Sequence, residues 1–140
     1  MPAQSLPKIY LYRRIVFAKI FIDEHYADPI DLDDIAGEAF FSKFHFIRLF
    51  KKAYGKTPHQ YLIWVRIENA KLFLKENISV AEVCYAVGFD AISSFTHLFK
   101  RITKVTPSVY KQKQRLRKVE INKYPLKFIP NCFAEQKGWQ

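Results

Sequence analysis

Residues 42–55 read SKFHFIRLFKKAYG, and this stretch decides the fold. Ser42 supplies the side-chain oxygen that a helix N-terminus needs for its unpaired amides, and Gly55 supplies the left-handed residue that ends a helix. Between them Phe46, Leu49, Phe50 and Ala53 recur at three- and four-residue spacing, the pattern of one buried stripe. Lys43, Arg48, Lys51 and Lys52 are left for the surface. The spacing therefore predicts an amphipathic helix over 43–54 with a basic outer face. Just upstream, Leu32, Ile35 and Ala39 form a second short stripe, with Asp33 and Asp34 set against the positive end of that helix's dipole. A short helix, a tight turn and a capped second helix are the parts of a helix-turn-helix.

Working outward, the same period recurs almost everywhere and strand patterns are poor, so the chain reads as all-α, with about seven helices. The first helix is expected from about Lys8 to Tyr26, with Ile15, Phe17, Ile20 and Phe21 toward the core, and stops before Asp28-Pro29. Thr57-Pro58 opens a long fourth helix to about Asn77, apolar around most of its girth (Tyr61, Leu62, Trp64, Val65, Ile67, Leu72, Phe73, Leu74) and so packed on more than one side. Ser79 and Glu82 fit a capping box for a fifth helix ending at Gly88. Asp90 or Ala91 begins the sixth, and Thr106-Pro107 the seventh, which ends near Lys118.

The two halves of this pattern superimpose. Leu32, Ile35, Ala36 and Phe41 fall 48 positions before Val80, Val83, Cys84 and Phe89. Farther on, Phe46, Leu49, Phe50, Lys51, Thr57, Pro58 and Tyr61 fall 49 positions before Phe95, Leu98, Phe99, Lys100, Thr106, Pro107 and Tyr110. The reading is two helix-turn-helix subdomains joined by a long linker helix: a first unit at 8–55, the linker at 57–77 and a second unit at 79–118, all within a domain spanning 1–118. A basic, aromatic tail follows at 119–140.

Charge points to the partner. The net charge is +10. Residues 1–31 balance at four basic and four acidic, whereas residues 32–111 carry twelve against seven and residues 112–140 seven against two. An excess that lies wholly downstream of residue 31 suits a polyanion, with simple solubility as the plainer alternative. Second helices of such units lie in the major groove, and two of them can enter successive grooves about 34 Å apart from a single chain. A monomer then suffices for an asymmetric site.

Several strings resemble the AraC/XylS family of transcription regulators: Ser42 to Tyr54 with Gly55, then Tyr61, Arg66 and Ala70, then Gly88-Phe89, Phe95, Phe99-Lys100 and Thr106-Pro107-Ser108 with Tyr110. The likeness covers about residues 8–116 and is to the family's DNA-binding domain, which implies either a small stand-alone member or a piece of a longer regulator. It implies a regulator, more often an activator, that binds double-stranded DNA with two recognition helices and commonly touches RNA polymerase. Carried over by position, it assigns Phe44, Ile47 and Arg48 to base edges in the first unit, with Ser42, Lys43 and Lys51 toward phosphate. In the second unit Ile92, Ser93 and His97 face bases, and Ser94, Lys100 and Arg101 face phosphate.

Arg48 is the strongest reader, because a guanidinium pairs bidentately with guanine. A solvated charge is its plain alternative, a core aromatic is that of Phe44, and an ordinary surface residue is that of His97. Ser93, Ser94 and His97 stand where the family often carries glutamine and arginine, so the second unit is expected to read weakly. Phe40 stands where the family usually has the turn glycine that Gly88 retains.

Other chemistry finds little support. The four glycines form no phosphate loop, and His25, His45, His59 and His97 make no HExxH or HxxxH pair, so neither an enzyme nor a metal or other cofactor is expected. Cys84 and Cys132 lie apart without metal-ligand spacing, and Cys84 reads as a small core residue. No apolar run is long enough for a membrane span, and residues 1–7 lack the features of an export signal, so a cytoplasmic protein is expected. No small-molecule effector can be inferred. The rival reading is a co-regulator that binds RNA polymerase or another protein and holds DNA only non-specifically. The tail, with Tyr124, Pro125, Phe128 and Pro130, either docks along a groove or packs back on the domain.

Overall fold

The structure is a computed structural model that describes residues 2–36 and 42–123. Seven helices are described: α1 (Pro2–His25), α2 (Leu32–Ala36), α3 (Lys43–Tyr54), α4 (Pro58–Phe73), α5 (Val80–Ala86), α6 (Ile92–Thr103) and α7 (Pro107–Lys123). Among the described residues all regular structure is helical. Ala39, Phe40 and Phe41, and with them the first turn, lie outside the described residues, as do Cys132 and the tail from 124.

Local chemistry sets the boundaries. Ser42, Thr57 and Ser79 are extended caps whose hydroxyls accept from the amides of His45, Gln60 and Glu82. Thr57 and Gln60 close a reciprocal box, with Pro58 in the first turn. A second box starts α2: the Asp34 amide donates to Asp31 Oδ1 at 2.8 Å and the Asp31 amide to Asp34 Oδ2 at 2.9 Å. Asp34 thus acts as a cap partner as well as a charge near the dipole. Gly55 ends α3 at φ 75°, and its amide returns to Lys51 O.

Three boundaries differ from the sequence reading by more than two residues. α1 starts at Pro2, α7 continues to Lys123, and the linker helix stops at Phe73, after which the amides of Lys75 and Glu76 turn back to Leu72 and Phe73. The shorter linker still spans both units, because the core positions nearest its ends are Tyr61 and Leu74.

The helices enclose two cores. In the first, Ile15, Ala18 and Ile22 of α1 meet Ile35, Phe46, Phe50 and the α4 residues Tyr61, Leu62 and Val65. In the second, Ile67, Ala70 and Leu74 meet Val83, Cys84, Val87, Phe89, Phe95 and Phe99. The repeat is physical: Phe46, Phe50 and Tyr61 form a chain of rings at 6.0 and 5.7 Å, and Phe95, Phe99 and Tyr110 form its counterpart at 5.7 and 5.5 Å. Tyr61 also donates to Asp23 Oδ1 at 2.7 Å, and burial, with this bond second, pushes its phenol up to about 12.

Some expected core residues are not buried. Phe17 is 55% exposed and Ile20 41%, because the face of α1 that meets the core is set by Ile15, Ala18 and Ile22. Ala53 is also exposed, and Trp64 of α4 is 38% exposed rather than core. Among the described residues no helix is long and apolar enough to cross a membrane.

The second unit is the less well finished copy. Lys104 holds φ 73° at the position matching Gly55, and Ala91 caps α6 with no side-chain hydrogen bond where Ser42 caps α3. A side chain in left-handed backbone costs on the order of 1 kcal/mol. Lys104→Gly is therefore expected to raise unfolding free energy by about 1 kcal/mol in urea denaturation. An unchanged or lowered midpoint would show that the Lys104 side chain compensates its backbone.

Candidate nucleic-acid interface

α3 and α6 are both twelve residues long and both turn an aromatic pair inward, Phe46 with Phe50 and Phe95 with Phe99. That rotation fixes what lies outside. On α3, Phe44, Arg48 and Lys51 follow one another at i, i+4 and i+7, so they share one face opposite the buried rings, and all three are exposed. Phe44 is 80% exposed, which excludes its core alternative. On α6, Ser93, His97 and Lys100 occupy the same three places and are likewise exposed. The two outer faces match in position and differ in chemistry: aromatic, guanidinium and ammonium on the first, hydroxyl, imidazole and ammonium on the second.

The remaining assigned residues divide by their surroundings. Ile47 is half-buried against the first core, so only part of it is presented outward. Ile92 and Ser94 are exposed beside the α6 face. Ser42 caps α3, its oxygen accepting from His45 N at 3.2 Å. Lys43 is paired with Asp33 of α2, and this ion pair, before the field of Asp31, raises the ammonium's pKa. Lys51 and Lys52, like Lys100 and Arg101, sit in the last turns of their helices, where a cation also complements the dipole.

Arg101 is set apart from Lys100. It lines a groove between α4 and α6 together with Lys56, His59, Trp64 and Ile102. Lys56 lies 5.3 Å from the Trp64 ring centroid, a cation-π contact that places another positive charge beside the heads. Sequence reasoning passed over Lys56; the only signal was a cation directly after the terminating Gly55. Cys84 is buried in the second core, and desolvation raises its thiol pKa, which suits a packing role.

A family model described as a helix-turn-helix domain matches residues 35–113. A transcriptional regulator from Chromobacterium violaceum with an AraC-type DNA-binding domain shares the fold at TM-score 0.65 and 24% identity, covering 80% of this chain and 96% of that one. The chain belongs to the AraC family. Its members are helix-turn-helix transcription regulators that bind DNA. The MmsAB operon regulatory protein of Pseudomonas aeruginosa is 35% identical to this AraC-family chain over 96 residues, which are 68% of the chain and 31% of that relative. The chain thus spans about a third of that relative's length. The DNA-binding domain of AdpA, solved in complex with a target DNA, is similar at TM-score 0.70 and 28% identity, covering 74% of this chain and 94% of that one.

The Lys43 pair gives this interface a test. Asp33 holds the cation that the family resemblance directs toward phosphate. Asp33→Asn is expected to tighten DNA binding about threefold at low salt, with the gain fading as salt screens it, in fluorescence anisotropy titrations. Weaker or unchanged binding at every salt concentration would show that Lys43 does not face the DNA backbone.

Proposed function

We propose that this AraC-family chain activates transcription as a monomer by inserting α3 and α6 into successive major grooves on one face of the DNA. The observation that carries this is the equivalent outward placement of Phe44, Arg48, Lys51 and of Ser93, His97, Lys100 on two helices bound to one linker. Such heads span an asymmetric site of roughly 20 base pairs, with bent duplex needed to keep both engaged.

In this reading the heads are unequal. Arg48 pairs with a guanine, while Phe44 and the outward part of Ile47 touch thymine methyls or sugars. Ile92, Ser93 and His97 contribute shorter or weaker base contacts. Ser42, Lys43, Lys51, Ser94, Lys100 and Arg101 hold phosphates, and their contacts position without specifying. The protein works in the cytoplasm, at the nucleoid, and touches RNA polymerase when bound. The co-regulator alternative is favoured by one observation, the exposed apolar side chains of α1, among them Ile9 and Phe17.

Selection from random DNA followed by anisotropy titration separates the two. The proposal expects a specific site bound at least about a thousandfold tighter than random duplex, with affinity falling steeply as salt rises. On that site Arg48→Ala is expected to cost about 1 to 3 kcal/mol and to relax preference at one base pair, with His97→Ala costing less. No sequence preference would favour the co-regulator, and an Arg48→Ala variant with unchanged affinity and motif would remove Arg48 as the reader.

A further inference from the structure

Between the two cores, parts of both units and the linker converge on Arg66. From its place on α4, Arg66 donates through Nε to Tyr26 O at 2.7 Å and through Nη2 to Asp28 O at 2.9 Å. Both carbonyls belong to the segment that closes α1 in the first unit. On its other side the guanidinium carbon lies 5.6 Å from the ring centroid of Phe89, in the turn of the second unit. Gly88, beside it, has φ +102°, and a Cβ there would come within 2.8 Å of Tyr26 O and 2.9 Å of Arg66 Nε. Tyr26 itself packs against both cores. The junction has no room for one methyl group.

Its contents also point both ways. Tyr26 and Asp28 precede the helix pair that carries α3, and Phe89 lies two residues before Ala91, the cap of α6. We propose that Arg66 is a positioning residue that sets the spacing and relative angle of α3 and α6, and through them the number of base pairs between the two half-sites, without touching DNA. This rests on the two-headed reading above. A guanidinium suits the task because its donors form a rigid planar fork whose faces stack on an aromatic ring. A lysine offers one rotatable ammonium, so it keeps the charge and loses both the fork and the stack. One base pair advances the helix about 3.4 Å and turns it by about a tenth of a revolution, so a modest slackening of the junction is read out as tolerance of a different spacing.

The test uses the full chain and DNAs carrying the two selected half-sites at the preferred spacing, at one and two base pairs more or less, and each half-site alone. Affinities are measured by anisotropy below the unfolding temperature of every variant. The wild type is expected to lose about tenfold in affinity when the spacing changes by one base pair, since the duplex must then be deformed to fit. Arg66→Lys is expected to bind isolated half-sites within about twofold of wild type, while its spacing preference falls below about threefold. Phe89→Leu, which keeps the fork and removes the ring, gives a milder flattening and serves if the lysine variant fails to fold by circular dichroism.

A spacing profile in Arg66→Lys as sharp as the wild type's, or in Phe89→Leu where the lysine variant does not fold, would overturn the proposal. So would half-site affinities that fall in step with the full site, the sign of a merely structural role. A wild type with no spacing preference would overturn the two-headed reading itself.

Discussion

Everything in this structure depends on one helix being buried twice. α4 gives Tyr61, Leu62 and Val65 to the first core and Ile67 and Ala70 to the second, which Leu74 at its C-cap completes, with a single residue between the two sets. A helix is stiff over such a length, and the side chains of each core sit in close-packed surroundings that resist small shifts. The two units are therefore coupled mechanically: neither α3 nor α6 can tilt without disturbing a core that shares its backbone with the other. Under the two-headed function proposed above, that coupling sets which DNA geometry is bound most readily.

Around this axis the chain uses one plan two times and finishes the copies differently. Both units bury a phenylalanine pair at i and i+4 and extend it with a tyrosine from the following helix. The first copy has a serine cap, a terminating glycine and an outer face with aromatic and guanidinium groups. The second has an uncapped alanine, a lysine in left-handed backbone, and hydroxyls with an imidazole outside. On α3 the better local finish coincides with an outer face that carries aromatic and guanidinium groups, while α6 keeps Lys100 and Arg101 in its last turn.

Much of this was legible because the information is local. Caps at Ser42, Thr57 and Ser79 and the stop at Gly55 need only neighbouring residues, and the internal repeat needs only the comparison of one half of the chain with the other; together they mark the helices and the outer face of α3. Apart from Ala53 at the end of α3, the misreadings come from helices whose apolar residues surround them. On α1 periodicity points to Phe17 and Ile20, and tertiary packing buries Ala18 and Ile22 instead. Trp64 reads as core for the same reason and lies at the rim of a groove. Pairings distant in sequence were not legible at all: nothing near Lys43 announces Asp33, and Arg66 stood out as part of a resemblance with no hint that it bonds two carbonyls some forty residues earlier.

Hydroxyl-radical footprinting of the wild-type chain on its selected site decides whether one chain places two heads on one face of the DNA. Two protected patches about ten base pairs apart on the same face are expected, the deeper one over the half-site whose guanine contact is lost in Arg48→Ala. A single patch spanning one groove, or protection that ignores sequence, would contradict that placement.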